Sequence, residues 1–275
     1  MDASVSARRP LRVVPCALEL AFNDPRKNIS RIDKAIRERT RGDRDPQSLL
    51  FVFPELTLTG FVTKNPKTFA LTDARGPLNA LREIARRRRV GIVAGFPERG
   101  LNASCGPRNA LVLIDPAGQI RSAYRKLHLF TAGANSESSR YAAGDAAVVC
   151  EYRGWRIAFA VCFDLRFSPL FHRYAQARAD LIAVSSCWIG GPHKSEQYRT
   201  LNAAHAIAAQ AYVVAVNQAG RDPFYEYDGA QLVFSPFGKS LYRGEPCRLD
   251  ASQIEACRKM SVRAADRADY PLVER

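Results

Sequence analysis

Short apolar runs alternate with amphipathic stretches along the whole chain. LRVVPCALEL reads as a strand, and ISRIDKAIRERT follows with Ile29, Ile32 and Ile36 on one helical face. LLFVFPEL (strand), LNALREIARRRR (helix) and VGIVAGFPE (strand) repeat the alternation. NALVLIDPAGQIRSAYRKLHLF predicts a hairpin turning at Asp115–Gly118, and AAVVCEYRGWRIAFAVCF a second one turning at Arg153 and Gly154. SPLFHRYAQARA is a helix, LIAVSSCW a strand, SEQYRTLNAAHAIAAQA a long helix and YVVAVNQAG a strand. AQLVFSPFGKSLYRG predicts a last hairpin turning at Pro236–Gly238.

Strand–helix alternation argues for a layered α/β fold, and the hairpins argue for mixed sheets. So many strands, several apolar throughout, suggest two sheets packed face to face and covered by helices, a four-layer α-β-β-α sandwich. No linker or internal repeat divides the chain. Residues 1–275 are therefore expected to form one domain, with 1–10 and 262–275 as tails or dimer-contacting arms. A chain of this length buries roughly three quarters of its unfolded surface and needs no covalent staple.

Composition narrows the class further. No stretch approaches the roughly 20 apolar residues of a membrane span. Pro15 and Glu19 interrupt the first apolar run, so it reads as a strand and not a signal peptide, and a cytoplasmic location is expected. The seven cysteines are scattered, with no C-x-x-C pair and no histidines clustered near them, so neither a disulfide framework nor a metal site is expected. The net charge of +14 is mostly dispersed Arg. Its one run, Arg86–Arg89, ends a helix, where cations complement the dipole, and no nucleic-acid motif accompanies it. A nucleic-acid partner is not expected.

Three polar residues sit at the ends of apolar runs, where α/β folds place chemistry: Glu55 in FVFPELTLTGF, Lys126 in SAYRKLHLF and Cys162 in AFAVCFDLRF. Singly, each has a bland reading as a solvated strand end, a surface lysine or a small buried hydrophobe. Together they make a chemical set. A thiol nucleophile needs a base, a carboxylate in a dry site can be that base, and an ammonium beside them favours both thiolate and oxyanion. The Phe163 N–H, next after the thiol, is placed to be a second oxyanion donor.

The blocks FPELTLTGF, YRKLHLF and CFDLRFSPLF, in this order and at these separations, resemble the three signature blocks of the nitrilase superfamily, the carbon-nitrogen hydrolases. The likeness covers nearly the whole chain. It implies an α-β-β-α sandwich that pairs into homodimers and uses no metal or organic cofactor. It makes Glu55 the general base, Lys126 the oxyanion-stabilising lysine and Cys162 the nucleophile. Many members also carry a second glutamate seven residues before the Gly of a PGD-like tripeptide. ESSRYAAGD places Glu137 at that distance from Gly144, with Ala143 in place of the proline.

CFDLRF and the HLF after Lys126 resemble the branch of ω-amidases and deaminated-glutathione amidases, which implies a small amide substrate that also bears a carboxylate. Arg166 is the nearest candidate to bind that carboxylate, although pairing with Asp164 or another carboxylate to hold the turn is the simpler expectation for it. Trp188 occupies a pocket-wall position, and Cys187 beside it is expected to be packing. Asn202–Gln210 departs from the branch, whose helix here usually carries an Arg and a Glu. His128, two residues past Lys126, would share its strand face and is the runner-up base, with a structural hydrogen bond the simpler expectation. The same triad would serve N-carbamoyl hydrolysis, nitrile hydrolysis or acyl transfer, and a non-catalytic scaffold has no reason to hold all three residues.

Overall fold

The computed structural model describes residues 8–62, 64–73, 75–100, 106–131 and 136–260. Its strands are β1 (Arg12–Pro15), β2 (Leu49–Val52), β3 (Gly91–Glu98), β4 (Arg108–Ile114), β5 (Ile120–Arg125), β6 (Val149–Tyr152), β7 (Trp155–Val161), β8 (Leu181–Ser186), β9 (Tyr212–Asn217), β10 (Ala219–Arg221), β11 (Glu226–Asp228), β12 (Gln231–Phe234) and β13 (Cys247–Arg248). Its helices are α1 (Pro25–Thr40), α2 (Pro77–Arg88), α3 (Ser168–Gln176), α4 (Lys194–Ala209) and α5 (Ala251–Met260).

One sheet runs β13-β1-β2-β3-β4-β5 and the other β12-β9-β8-β7-β6, with β10 and β11 a separate small ribbon. Each main sheet has three parallel neighbours, β1-β2-β3 and β7-β8-β9, flanked by antiparallel partners. Three apolar clusters account for the layering. Val13, Leu50, Val93 and Leu111 of one sheet meet Ile157, Phe159, Ala183 and Val214 of the other. The alternate residues Phe51, Ile92 and Val112 pack on Ile32, Ile36, Leu81 and Ile84 of α1 and α2. Ala158, Ile182 and Val213 pack on Phe171, Tyr174, Tyr198 and Ala206 of α3 and α4. This is the α-β-β-α sandwich, and because both sheet faces are covered the strands read as continuous apolar runs.

Two hairpins form as expected. The second turns through Arg153 and Gly154, both at positive φ (55° and 81°), which suits a tight right-twisted connection. The third does not: after β12 the return is a single bridge, Phe234 to Ser240, with no second strand. Residues 8–10 are no tail. Arg8 Nη2 lies 3.0 Å from Asp180, and the Arg9 carbonyl accepts from the Trp155 indole at 2.9 Å. Residues 1–7 and 262–275 lie outside the described residues. No helix among the described residues is long and apolar enough to cross a membrane. In the Arg86–Arg89 run, Arg87 and Arg88 pair with Asp33 of α1 and Arg86 with Glu83.

Candidate active site

The chain leaves β2 through Pro54 and turns at once, with Leu56 at φ 47°. Thr57 Oγ donates to the Pro54 carbonyl, and Gly95 of β3 donates its N–H to Thr57 Oγ at 3.0 Å. Gly95 is needed there, since a Cβ would stand 2.5 Å from the Leu56 nitrogen. The turn holds Glu55 fully inside the protein. Lys126 follows β5 directly, its N–H bonded to the Asn109 carbonyl and its carbonyl to the Gly144 N–H. Gly144 lies against the Arg125 carbonyl, 2.2 Å from where a Cβ would be, so the tripeptide keeps its glycine although Ala143 replaces the proline.

These backbones bring three charged side chains together. Lys126 Nζ donates to Glu55 Oε1 at 2.7 Å and to Glu137 Oε2 at 2.6 Å. Asn109 of β4 bridges the same two glutamates, its Nδ2 donating to Glu55 Oε1 (2.7 Å) and Glu137 Oε1 (2.9 Å). The Cys187 N–H donates to Glu55 Oε2 at 2.8 Å, and the Phe130 N–H to Glu137 Oε2 at 2.9 Å. All three charged residues are buried. An ammonium has three hydrogens, and two are spent on the glutamates; the third is left for the cavity that Lys126 lines.

Cys162 lies one residue past β7, at φ 45°, where a non-glycine residue stores strain. Asp164, wholly buried, holds that turn in place. Its Oδ2 accepts from the Val161 N–H (2.9 Å) and the Tyr124 hydroxyl (2.7 Å). Its Oδ1 accepts from the His128 N–H (3.0 Å) and lies 2.8 Å from His128 Nδ1. Behind the turn, His205 of α4 donates from Nε2 to the Leu165 carbonyl at 2.8 Å and stacks on Phe171.

The Cys162 thiol opens onto a cavity of about 160 Å³ lined also by Phe61, Phe130, Phe163, Cys187, Trp188 and Ile189. Arg166 and Lys194 stand at its rim over the Trp188 ring, 5.0 and 6.0 Å from the centroid. The space is well under the roughly 300 Å³ at which drug-sized sites begin, so it fits a small molecule.

Three expectations change here. Arg166 does not pair with Asp164, whose oxygens are already taken; its guanidinium donates to Gln197 at 2.9 Å and lies on Trp188. His128 does not share a strand face with Lys126, because β5 ends at Arg125; its ring stacks on Phe167 and serves Asp164. Cys187 is more than packing, since its backbone positions Glu55 and its side chain lines the cavity.

The electrostatics are those of a dry, crowded site. Burial raises Glu55 above the ordinary carboxylate range; Lys126 pulls it back and Glu137 pushes it further up. Burial opposes charge on Lys126, but Glu137 and Glu55 outweigh it and hold the ammonium well above the usual lysine range. The Cys162 thiol is pushed well up, by burial first and Glu55 next. Cys162 thus rests as a thiol beside a basic carboxylate, not as a preformed thiolate as in a Cys-His pair.

Residues 13–246 match the family model for carbon-nitrogen hydrolases. The chain belongs to that family. Similar curated proteins include the 2-oxoglutaramate amidase of Bacillus subtilis, 27% identical over 82% of this chain and 83% of that protein, and omega-amidase YafV of Yersinia enterocolitica, 31% identical over 92% and 91%. Among solved structures, a CN-hydrolase superfamily protein of Xanthomonas campestris superposes with a TM-score of 0.79 at 26% identity, covering 91% of this chain and 94% of that one. A Nesterenkonia amidase mutant carrying an acetamide group on its active-site cysteine superposes with a TM-score of 0.76 at 21% identity, covering 94% and 100%, and shares the fold.

In this carbon-nitrogen hydrolase the residues expected from the sequence, Glu55, Lys126, Glu137 and Cys162, lie together, and what positions them goes beyond that expectation. Asn109 was visible as the one amide in the apolar run RNALVLI, and a buried amide in a strand needs partners. Tyr124 and the Cys187 N–H gave no comparable signal.

Proposed function

We propose that this hydrolase cleaves a small amide bearing a second, anionic group to its acid and ammonia, through a thioester on Cys162. The observation that carries the reading is the buried Glu55–Lys126–Glu137 cluster, which opens on a small cavity beside the Cys162 thiol. Glu55 takes the thiol proton as Cys162 Sγ attacks the amide carbon. The third Lys126 N–H and the Phe163 N–H stabilise the tetrahedral oxyanion. Ammonia departs with the proton held on Glu55. Water then enters, gives a proton to Glu55 and attacks the thioester carbon, and as the C–S bond breaks Glu55 returns the proton to the Cys162 sulfur. Glu137 and Asn109 keep Lys126 and Glu55 aligned throughout.

The anionic group is argued from the rim. Arg166 and Lys194 flank Trp188, and among the described residues no carboxylate is within ion-pairing distance of either. A carboxylate on a short chain, its amide over Cys162, would meet both cations. The names of the Bacillus and Yersinia relatives point to the same substrate class.

The test is an ammonia-release screen over short amides with and without a distal carboxylate, alongside N-carbamoyl compounds and nitriles. Carboxylate-bearing amides should turn over fastest, and hydroxylamine should trap the acyl group as a hydroxamate. In Arg166→Gln, KM for those amides should rise about tenfold to a hundredfold, with neutral amides within about twofold of the parent. Preferential turnover of neutral amides, N-carbamoyl compounds or nitriles would overturn the substrate assignment.

A further inference from the structure

Two thiols, not one, line the cavity. The second, Cys187, has no part in the chemistry above beyond its backbone, and its side chain is buried next to the nucleophile. Strands β7 and β8 are parallel, with Val161 opposite Ser185. Continuing that register sets Cys162 beside Ser186 and one residue short of Cys187. A strand spacing of about 4.8 Å and a rise of about 3.3 Å then put the two Cα atoms about 6 Å apart. Disulfides span roughly 4.4–6.8 Å between Cα atoms.

In two straight strands these residues would point to opposite faces, because side chains alternate. Here they do not. Ser185 points across to the other sheet, its hydroxyl donating to the Phe53 carbonyl at 2.7 Å, and Cys187, two residues on, points the same way with Sγ 3.3 Å from the Glu55 carbonyl. The positive φ at Cys162 swings its thiol out of the strand pattern towards Glu55 as well. One carboxyl-bearing residue thus receives both thiols. The remaining described cysteines are elsewhere: Cys16 packs in the α1–α2 layer, Cys150 and Cys247 lie on sheet-edge strands, and Cys257 is on α5.

We propose that Cys162 and Cys187 form an oxidisable dithiol, in which a small hydroperoxide oxidises Cys162 and Cys187 resolves it to a disulfide that closes the site reversibly. The chemistry balances with groups in place. Glu55 takes the Cys162 proton, the sulfur attacks the terminal peroxide oxygen, the S–O bond forms as O–O breaks, and the alcohol or water leaves with the proton. Sulfur is oxidised by two electrons and the peroxide is reduced. The Cys187 sulfur then attacks the sulfenic acid; S–S forms, S–O breaks, and hydroxide leaves as water with the Cys187 proton. Burial and Glu55 keep both thiols protonated at rest, so oxidation depends on the same carboxylate base as amide attack. The disulfide shields Cys162 from the irreversible sulfinic and sulfonic steps. The inference shares with the proposed function only the nucleophilic Cys162.

The experiment treats the full chain with a few equivalents of hydrogen peroxide, blocks remaining thiols, and maps unreduced peptides by mass spectrometry. The expected product is a 162–187 cross-linked pair about 2 Da lighter than the two thiol peptides together. A monothiol or dithiol reductant should restore both thiols. In Cys187→Ser, dimedone should instead label Cys162, and prolonged exposure should leave a sulfinic acid that reductant does not reverse. Phenylarsine oxide gives a second readout: on the parent its adduct should resist a monothiol and yield to a dithiol, whereas on Cys187→Ser a monothiol should remove it. Peroxide treatment that gives no 162–187 peptide, or a disulfide from Cys162 to another cysteine, would overturn the proposal. None of these readouts uses amide turnover, so failure here is distinguishable from failure of the amidase reading. The parent peptide map decides the matter even where the variant does not fold.

Discussion

The ends of β7 and β8 lie side by side in one sheet, each followed by a cysteine that faces the same glutamate, yet the two ends are built differently. After β7 the backbone turns sharply at Cys162, with φ 45°, into a short 3₁₀ turn whose Asp164 is satisfied on both oxygens. After β8 it runs on through Cys187 to Trp188, which exchanges two hydrogen bonds with Asn217 of the neighbouring strand. Both thiols are raised by burial and by Glu55, so acidity does not distinguish them. Presentation does. Cys162 is half-buried, lines the cavity and is carried on a braced turn, whereas the Cys187 sulfur is tied to the Glu55 carbonyl and to Gln218 Oε1 at 3.2 Å. The backbone, more than the thiol, sets the two cysteines apart.

The largest effect should come from removing each sulfur in turn. Cys162→Ala should lower ammonia release by at least about a thousandfold on every amide that the parent cleaves. Cys187→Ala keeps the backbone N–H on Glu55 and should cost only about two- to fivefold in kcat. Steady-state assays with matched circular dichroism spectra check this. Comparable losses in the two variants would erase the distinction between the two strand ends.

The second effect tests the turn itself. In Asp164→Asn two of the four groups around that position would face an amide NH₂ instead of an oxygen, leaving buried polar groups opposed. The expected cost is about 2 kcal/mol or more in urea-unfolding stability. A fall in kcat of about a hundredfold with little change in KM should accompany it, because the sulfur is displaced while the pocket walls stay. A variant that lost stability and kept the parent kcat would show that Asp164 serves only the fold.

How far the chain announced this arrangement depends on the reach of each interaction. Glu55, Lys126 and Cys162 could be read because each ends an apolar run and sits in a distinctive block, and strand ends are local facts. The α-β-β-α layering could be read because strands covered on both faces lose their alternation. Arg166 was assigned to the wrong partner because nearness in sequence favoured Asp164, whereas Tyr124 and His128, distant in the chain, had already filled it. The ribbon of β10 and β11 and the helix α5, with its buried Ile254 and Cys257, are short and offer few apolar positions. Cys187 was ambiguous for a related reason: its part in the site is a backbone N–H reaching Glu55 across 132 positions, and no residue type encodes that.

The smallest predicted effect concerns the back of the Cys162 turn, which His205 braces through the Leu165 carbonyl. His205 packs against Phe171 beneath Leu165. Burial lowers its pKa below the ordinary histidine value, with the hydrogen bond to the Leu165 carbonyl opposing. The sign follows from linkage. Below about pH 6.5 the unfolded chain takes up a proton at this residue that the folded one refuses, so folding stability falls as pH drops from there towards the depressed native value. His205→Gln offers an amide that can still donate to Leu165 and does not titrate. Unfolding midpoints of parent and variant, followed from pH 7.5 to 5, should therefore converge as the pH falls, the parent losing the more. Parallel curves would mean that His205 takes up its proton equally in the folded and unfolded chains and that any acid sensitivity of the turn belongs to other groups.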